Sequence, residues 1–164
     1  SSSMMTLSSI DKEKYLGFAN RFFEGQSRVM DEDTFAYIYD ISDKVTWYVQ
    51  AILHGIYERS KDVIDKRLVD DVVREIIEDQ STAYQNYCAW LTENQQRLLT
   101  AIAKERLVSS PLGQKFIRIY NLPAVSSVKS ALKSLVDKQL VAKTPQGYLV
   151  SDRFFAKWLS GHIL

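Results

Sequence analysis

One cysteine, two histidines, three prolines and six glycines in 164 residues leave few of the residues on which most enzymes rely. A lone Cys88 excludes an internal disulfide framework and supplies too few thiolates for a structural zinc site. His54 and His162 stand far apart in sequence, and no nucleophile can be placed beside either. The scattered glycines form neither GxxxxGKS nor GxxxxGKT, the turn whose amides surround a nucleotide's phosphates, nor the GxGxxG of a dinucleotide fold. HExxH and GxSxG are also missing. No catalytic site, metal or other cofactor is therefore expected in the chain itself. No apolar run approaches the roughly 20 residues that cross a bilayer, and SSSMMTLSSI lacks the basic flank and long apolar core of a signal peptide. The expectation is a cytoplasmic protein without a membrane partner.

What is present is unevenly distributed. Residues 1–90 hold 10 Lys and Arg against 16 Asp and Glu, while residues 91–164 hold 11 against 4, so a net charge of +1 conceals two oppositely charged halves. A basic half suits an anionic partner, either nucleic acid or an acidic protein surface; opposite charges that help the halves pack are the plainer alternative.

From Leu91 onward the hydrophobic period reads helix, helix, helix, then two short alternating runs. Thr92 followed by Gln95 predicts a capping box, and Leu98, Leu99, Ile102 and Ala103 share one face of the first helix. Ser110 before Pro111 predicts the start of a second helix with Phe116, Ile117 and Tyr120 inward. In the third, apolar residues recur from Val125 through Val128, Ala131, Leu132, Leu135 and Val136. Its other side carries Ser126, Ser127, Lys129, Ser130, Lys133 and Ser134, a polar and basic face suited to a DNA groove. LVAKT and GYLV then read as a hairpin around Pro145, Gln146 and Gly147. That order predicts a winged helix-turn-helix domain over residues 91–164 with a small β-hairpin wing.

The preceding residues predict a helical bundle over 1–90. Asp11 caps a stripe of Tyr15, Phe18, Ala19, Phe22 and Phe23 that ends near Gly25. Phe35, Ile38 and Tyr39 belong to a second helix, and Trp47, Tyr48, Ala51, Ile52 and Ile56 to a third starting near Asp43. A long connecting helix is expected over about 63–90, since neither proline nor glycine interrupts it, with Ser81 as the place for a bend. Asp70 and Asp71 are assigned to its solvated face, and Cys88 to a buried thiol among Tyr84, Tyr87 and Trp90. The fold class expected is thus mainly α.

The segments YIYDISDKVTWYVQAILHGIYE, LTENQQRLLTAIA and YNLPAVSSVKSALKSLVDKQLV, with YLVSDRFFAKWL, resemble the C-terminal part of prokaryotic, archaeal-type P-loop ATPases of the AAA+ and signal-transducing (STAND) NTPase grouping. The resemblance covers nearly the whole chain. Its most specific elements are LPxxSSVxxAL and the terminal DRFFxxWL. It implies a helical lid followed by a winged helix, with the Walker-containing core missing. In such proteins ATP and magnesium bind mainly to that core, so the resemblance implies an ATPase parent and no hydrolysis by this fragment. It also places Lys44, Thr46 and Trp47 near nucleotide, although a Gly-x-Pro usual there is replaced by Lys44, Val45 and Thr46. The plainer alternative for Trp47 and Tyr48 is packing in the lid core.

Two readings follow. In the first, a monomeric recognition fragment of an ATPase has the missing core as partner, and its winged helix binds duplex DNA or another protein. For DNA, Lys129 and Lys133 with Ser126, Ser127 and Ser130 would face the major groove, Lys143 and Gln146 would reach phosphate or the minor groove from the wing, and Lys115 and Arg118 would clamp the backbone. In the second, the chain is a stand-alone winged-helix transcription regulator with a helical dimerisation domain.

Overall fold

The computed structural model describes residues 30–59 and 63–161, together with Gly17, Arg21 and Phe23. The helix expected between Asp11 and Gly25 otherwise lies outside the described residues; Gly17, Arg21 and Phe23 are helical, and Phe23 is buried. Among the described residues there are eight helices and one two-stranded antiparallel sheet, a mainly α fold that includes a winged helix domain. The chain divides into two compact units, Ser1–Glu75 and Ile76–Leu164.

In the first unit, α1 (Glu32–Ile41) starts at Asp31, whose carboxylate accepts the Thr34 N–H at 2.7 Å. That backbone bond holds the Asp31 carboxyl below its ordinary value. Phe35 and Ile38 are buried, and the buried Ser42 hydroxyl is satisfied by donating to the Ile38 carbonyl at 2.6 Å. Asp43 and Lys44 then turn the chain through left-handed backbone, at φ 48° and 62°. Helix α2 (Thr46–Tyr57) buries Tyr48, Val49, Ile52, Leu53 and Ile56. It meets α3 (Lys66–Asp79) closely at Gly55, where a Cβ would lie 2.5 Å from a Val72 methyl carbon. Leu68, Val69, Val72 and Val73 form the buried face of α3. Asp70, expected on a solvated face, is half-buried and accepts the Tyr37 hydroxyl at 2.5 Å.

The single helix expected over 63–90 is two helices. After α3, the Gln80 N–H is shared between the carbonyls of Ile76 and Ile77, at 3.3 and 3.2 Å, and α4 (Ser81–Ala89) begins at the next residue. Nor does the division of the chain fall after Trp90. Tyr84 is buried against Phe155 and Trp158, with ring centroids 5.0 and 5.6 Å apart, and the Trp158 indole N–H donates to Ser81 Oγ at 3.3 Å. These contacts make α4 part of the second unit.

There, α5 (Glu93–Glu105) carries the expected capping box between Thr92 and Gln95. Helix α6 (Gln114–Ile119) begins after Gly113 and not at Pro111, because Ser110 to Gly113 form a turn closed by the Gly113 N–H on the Ser110 carbonyl at 3.0 Å. Phe116 is buried as expected, whereas Ile117 and Tyr120 are half-buried. Helix α7 (Val125–Asp137) leads into β1 (Val141–Thr144) and β2 (Gly147–Val150), paired from Val141 with Val150 to Thr144 with Gly147. Val108 flanks the hairpin, exchanging both backbone bonds with Tyr148 at 2.8 Å. Gly147, at φ 143°, sits where a Cβ would lie 2.5 Å from the Val108 carbonyl oxygen, so only glycine suits this position. Helix α8 (Arg153–Ser160) closes the unit; Asp152 caps it by accepting the Phe154 and Phe155 N–H groups at 3.0 Å, and both phenylalanines are buried.

Candidate functional site

Helix α7 is amphipathic. Val128, Ala131, Leu132 and Leu135 are buried, which turns Ser126, Lys129, Ser130 and Lys133 to solvent and leaves Ser127 half-buried. Three contacts fix the helix and the turn before it. The Arg97 guanidinium of α5 donates to the Asn121 carbonyl, the Tyr120 hydroxyl donates to Glu105 at 2.6 Å, and the Gln95 amide donates to Ser134 Oγ at 3.0 Å. Asn121 needs such support, since its φ is 47°. Desolvation first and the Glu105 bond second push the Tyr120 hydroxyl up to about 12.

The expected DNA- or partner-facing cations are not equivalent. Lys133 is exposed but pairs with Asp137 at 3.2 Å. Lys129 has no ion pair or hydrogen bond among the described residues, and the same holds for the exposed Lys115 and Arg118 of α6. On the wing, Lys143 is exposed and its ammonium lies 5.9 Å from the centre of the Tyr148 ring. Gln146 is exposed in the two-residue turn, where its backbone N–H bonds Thr144 Oγ1 at 3.3 Å.

A shallow polar hollow adjoins the serine face. It is lined by Thr92, Asn94 and Gln95 of the α5 start and by Ser126, Ser127, Ser130 and Ala131 of α7. The three α5 residues were not expected at a site, because Thr92 and Gln95 read in sequence only as helix-capping residues. That two helix ends meet here depends on tertiary packing, which periodicity does not carry.

In the first unit, Lys44 is exposed, with its ammonium 6.0 Å from the centre of the Tyr39 ring. Thr46 is buried. Trp47 is not core: it is 62% exposed and meets the buried Tyr48 edge-on, with centroids 5.2 Å apart. His54 is exposed, 3.6 Å from Glu58. Cys88 is only partly buried, and that burial pushes its thiol up. His162 lies outside the described residues. Among the described residues no group of three or more His, Cys, Asp or Glu is placed to hold a metal, and no helix is long and apolar enough to cross a membrane.

The sequence matches a protein family described as "Probable winged helix domain" over residues 82–161. That span begins within α4, as the second compact unit also includes it. The structure is similar to a Walker-type ATPase of Pyrococcus abyssi, with a TM-score of 0.66 at 14% identity, covering 92% of this chain and 42% of that one. At that identity the likeness is one of fold, and the chain spans less than half the length of the ATPase. No curated protein matches the sequence.

Proposed function

We propose that the winged helix binds duplex DNA and that the chain is the C-terminal recognition part of a P-loop ATPase whose nucleotide-binding core lies outside it. The observation that carries the DNA reading is a set of exposed cations, Lys115, Arg118 and Lys129, whose side chains have no ion pair or hydrogen bond among the described residues, on the two helices that lead into the wing. An unpaired cation on a positively charged surface gains most by replacing condensed counterions on a phosphate backbone. In this reading α7 enters the major groove, α6 lies along the backbone, and Lys143 and Gln146 meet phosphates from the wing.

Base selection is weak. The α7 face offers serine and lysine but no arginine, asparagine or glutamine for the bidentate contacts that identify guanine or adenine. Affinity then comes from phosphates and falls steeply with salt.

The fold likeness to a Walker-type ATPase over 92% of the chain supports the second half of the proposal. The chain's own residues do not make a nucleotide cradle, having no glycine-rich loop for the phosphates. ATP and magnesium therefore belong to the core, with the exposed Lys44 and Trp47 available to it and Thr46 buried. The isolated chain is monomeric and does not hydrolyse ATP. A Walker lysine motif in the coding sequence upstream of residue 1 tests the parentage.

Lys129→Glu with Lys133→Glu tests the binding face. Retention on duplex DNA at low salt should drop by more than tenfold; unchanged retention rejects the face. A tight dimer on a palindromic site, measured by light scattering, would instead favour the stand-alone regulator.

A further inference from the structure

We infer that the hollow between the start of α5 and the serine face of α7 seats one backbone phosphate of the bound duplex, held by neutral donors. This rests on the duplex-binding reading and adds to it a contact from α5. Of the polar groups lining the hollow, Gln95 is engaged at both ends, its oxygen accepting the Thr92 N–H and its amide donating to Ser134, while Thr92 Oγ1 accepts the Gln95 N–H and keeps its own proton to donate. The Asn94 amide and the hydroxyls of Ser126, Ser127 and Ser130, which have no side-chain hydrogen bond among the described residues, complete the donor set. Ser126 and Ser130 stand four residues apart and so share a face of α7. The small, buried Ala131 allows the two helices to approach.

The donor set selects the ligand. Hydroxyl and primary amide groups can all donate, and a phosphodiester oxygen is an anionic acceptor that strengthens such bonds. Among the described residues the lining contains no carboxylate to repel an anion and no aromatic ring on which a base could stack. Glu93, adjacent in sequence to Asn94, is exposed and is not part of the lining. Lys129, between Ser127 and Ser130, places the hollow in the same α7 segment as the unpaired cation. A phosphate seated there would fix the angle of α7 against the duplex.

Neutral donors leave a signature that cations do not. Each lysine or arginine contact releases condensed counterions and adds about one to the slope of log affinity against log salt, whereas a hydroxyl or amide contact does not. The test is binding of the full chain to a random-sequence duplex, followed by fluorescence anisotropy across a potassium chloride series. Asn94→Ala with Ser126→Ala and Ser130→Ala should weaken binding about tenfold at every salt concentration with the slope unchanged. Ser126→Thr with Ser130→Thr keeps both hydroxyls and should bind within about threefold of the parent chain, with thermal unfolding of all variants showing that the fold persists.

Wild-type affinity in the alanine variant, while the parent chain binds, overturns the phosphate seat and leaves the duplex reading standing. A changed slope overturns its neutral character, and absence of duplex binding by the parent chain overturns both. Inorganic phosphate without DNA separates a free anion from a duplex-borne one. The amide resonances of Ser126 and Ser130 should move with duplex and not with micromolar phosphate; movement with phosphate alone would reassign the hollow.

Discussion

Gln95 and Ser134, 39 residues apart in sequence, are joined by a 3.0 Å hydrogen bond that ties the start of α5 to the last turns of α7. The same glutamine's oxygen accepts the Thr92 N–H at 3.1 Å, so one side chain both caps a helix and holds another. Gln95→Ala should destabilise the second unit by about 1–2 kcal/mol, as expected for loss of a cap and a side-chain hydrogen bond. Gln95→Glu keeps the capping oxygen and loses the donor, and urea unfolding should place it between alanine and the parent chain. A Gln95→Glu variant as stable as the parent chain would show that the link to Ser134 contributes nothing.

The boundary between the two units can be tested by truncation. A fragment of residues 76–164 should unfold in one cooperative transition, while 91–164 loses Tyr84 and uncovers Phe155, which is 2% exposed in the intact chain. The shorter fragment should be less stable by about 3 kcal/mol, comparable to truncation of a buried aromatic. Denaturant titrations of equal midpoint would return the boundary to Trp90.

Gly147→Ala introduces both a disfavoured backbone conformation and a collision with the Val108 carbonyl oxygen. A loss of at least about 2 kcal/mol is expected, seen as a lower thermal midpoint. Amide exchange at Val108 and Tyr148 should accelerate first, since the collision separates that pair.

In the duplex-binding reading, the pairing of Lys133 with Asp137 should make the two lysines of α7 unequal in binding. Lys129→Ala should lower the salt slope of duplex binding by about one, and Lys133→Ala by less. Asp137→Asn should strengthen binding two- to threefold at low salt, because it frees Lys133 and removes a negative charge from the helix. Unchanged binding by that variant would exclude Lys133 from the contact.

Alkaline pH should loosen both units. Desolvation, followed by bonds to Asp70 and Glu105, pushes the Tyr37 and Tyr120 hydroxyls from 10.0 to about 12. The folded chain therefore keeps protons that the unfolded chain has released, and the associated stability is whole below pH 10 and is lost as pH climbs toward 12. Urea unfolding over this range should show a steeper decline for the parent chain than for Tyr37→Phe with Tyr120→Phe. Parallel declines would mean that neither phenol contributes.

Much of the second unit was legible because short-range chemistry specifies it. Thr92 and Gln95 announced the start of α5, the spacing from Val128 to Leu135 oriented α7, and Gly147 marked the hairpin. At Gln80 the sequence pointed to a bend near Ser81 and not to a full break, since no proline or glycine marks it and the sharing of one N–H between two carbonyls records it. Trp47 misled because a helical aromatic reads as core, whereas Tyr48 beside it fills that place. The serines and lysines of α7 could be assigned to a face from periodicity. Asn94 could not join them, because its neighbourhood is made by packing between helices distant in sequence.

The wing's arms are only four residues each and are joined by two more. At the rise of a β-strand they extend roughly 13 Å, well short of the roughly 34 Å of one duplex turn. A single copy would thus protect a compact footprint on one side of the DNA. A longer protected tract would have to grow by adding copies, with its length counting how many chains the duplex carries.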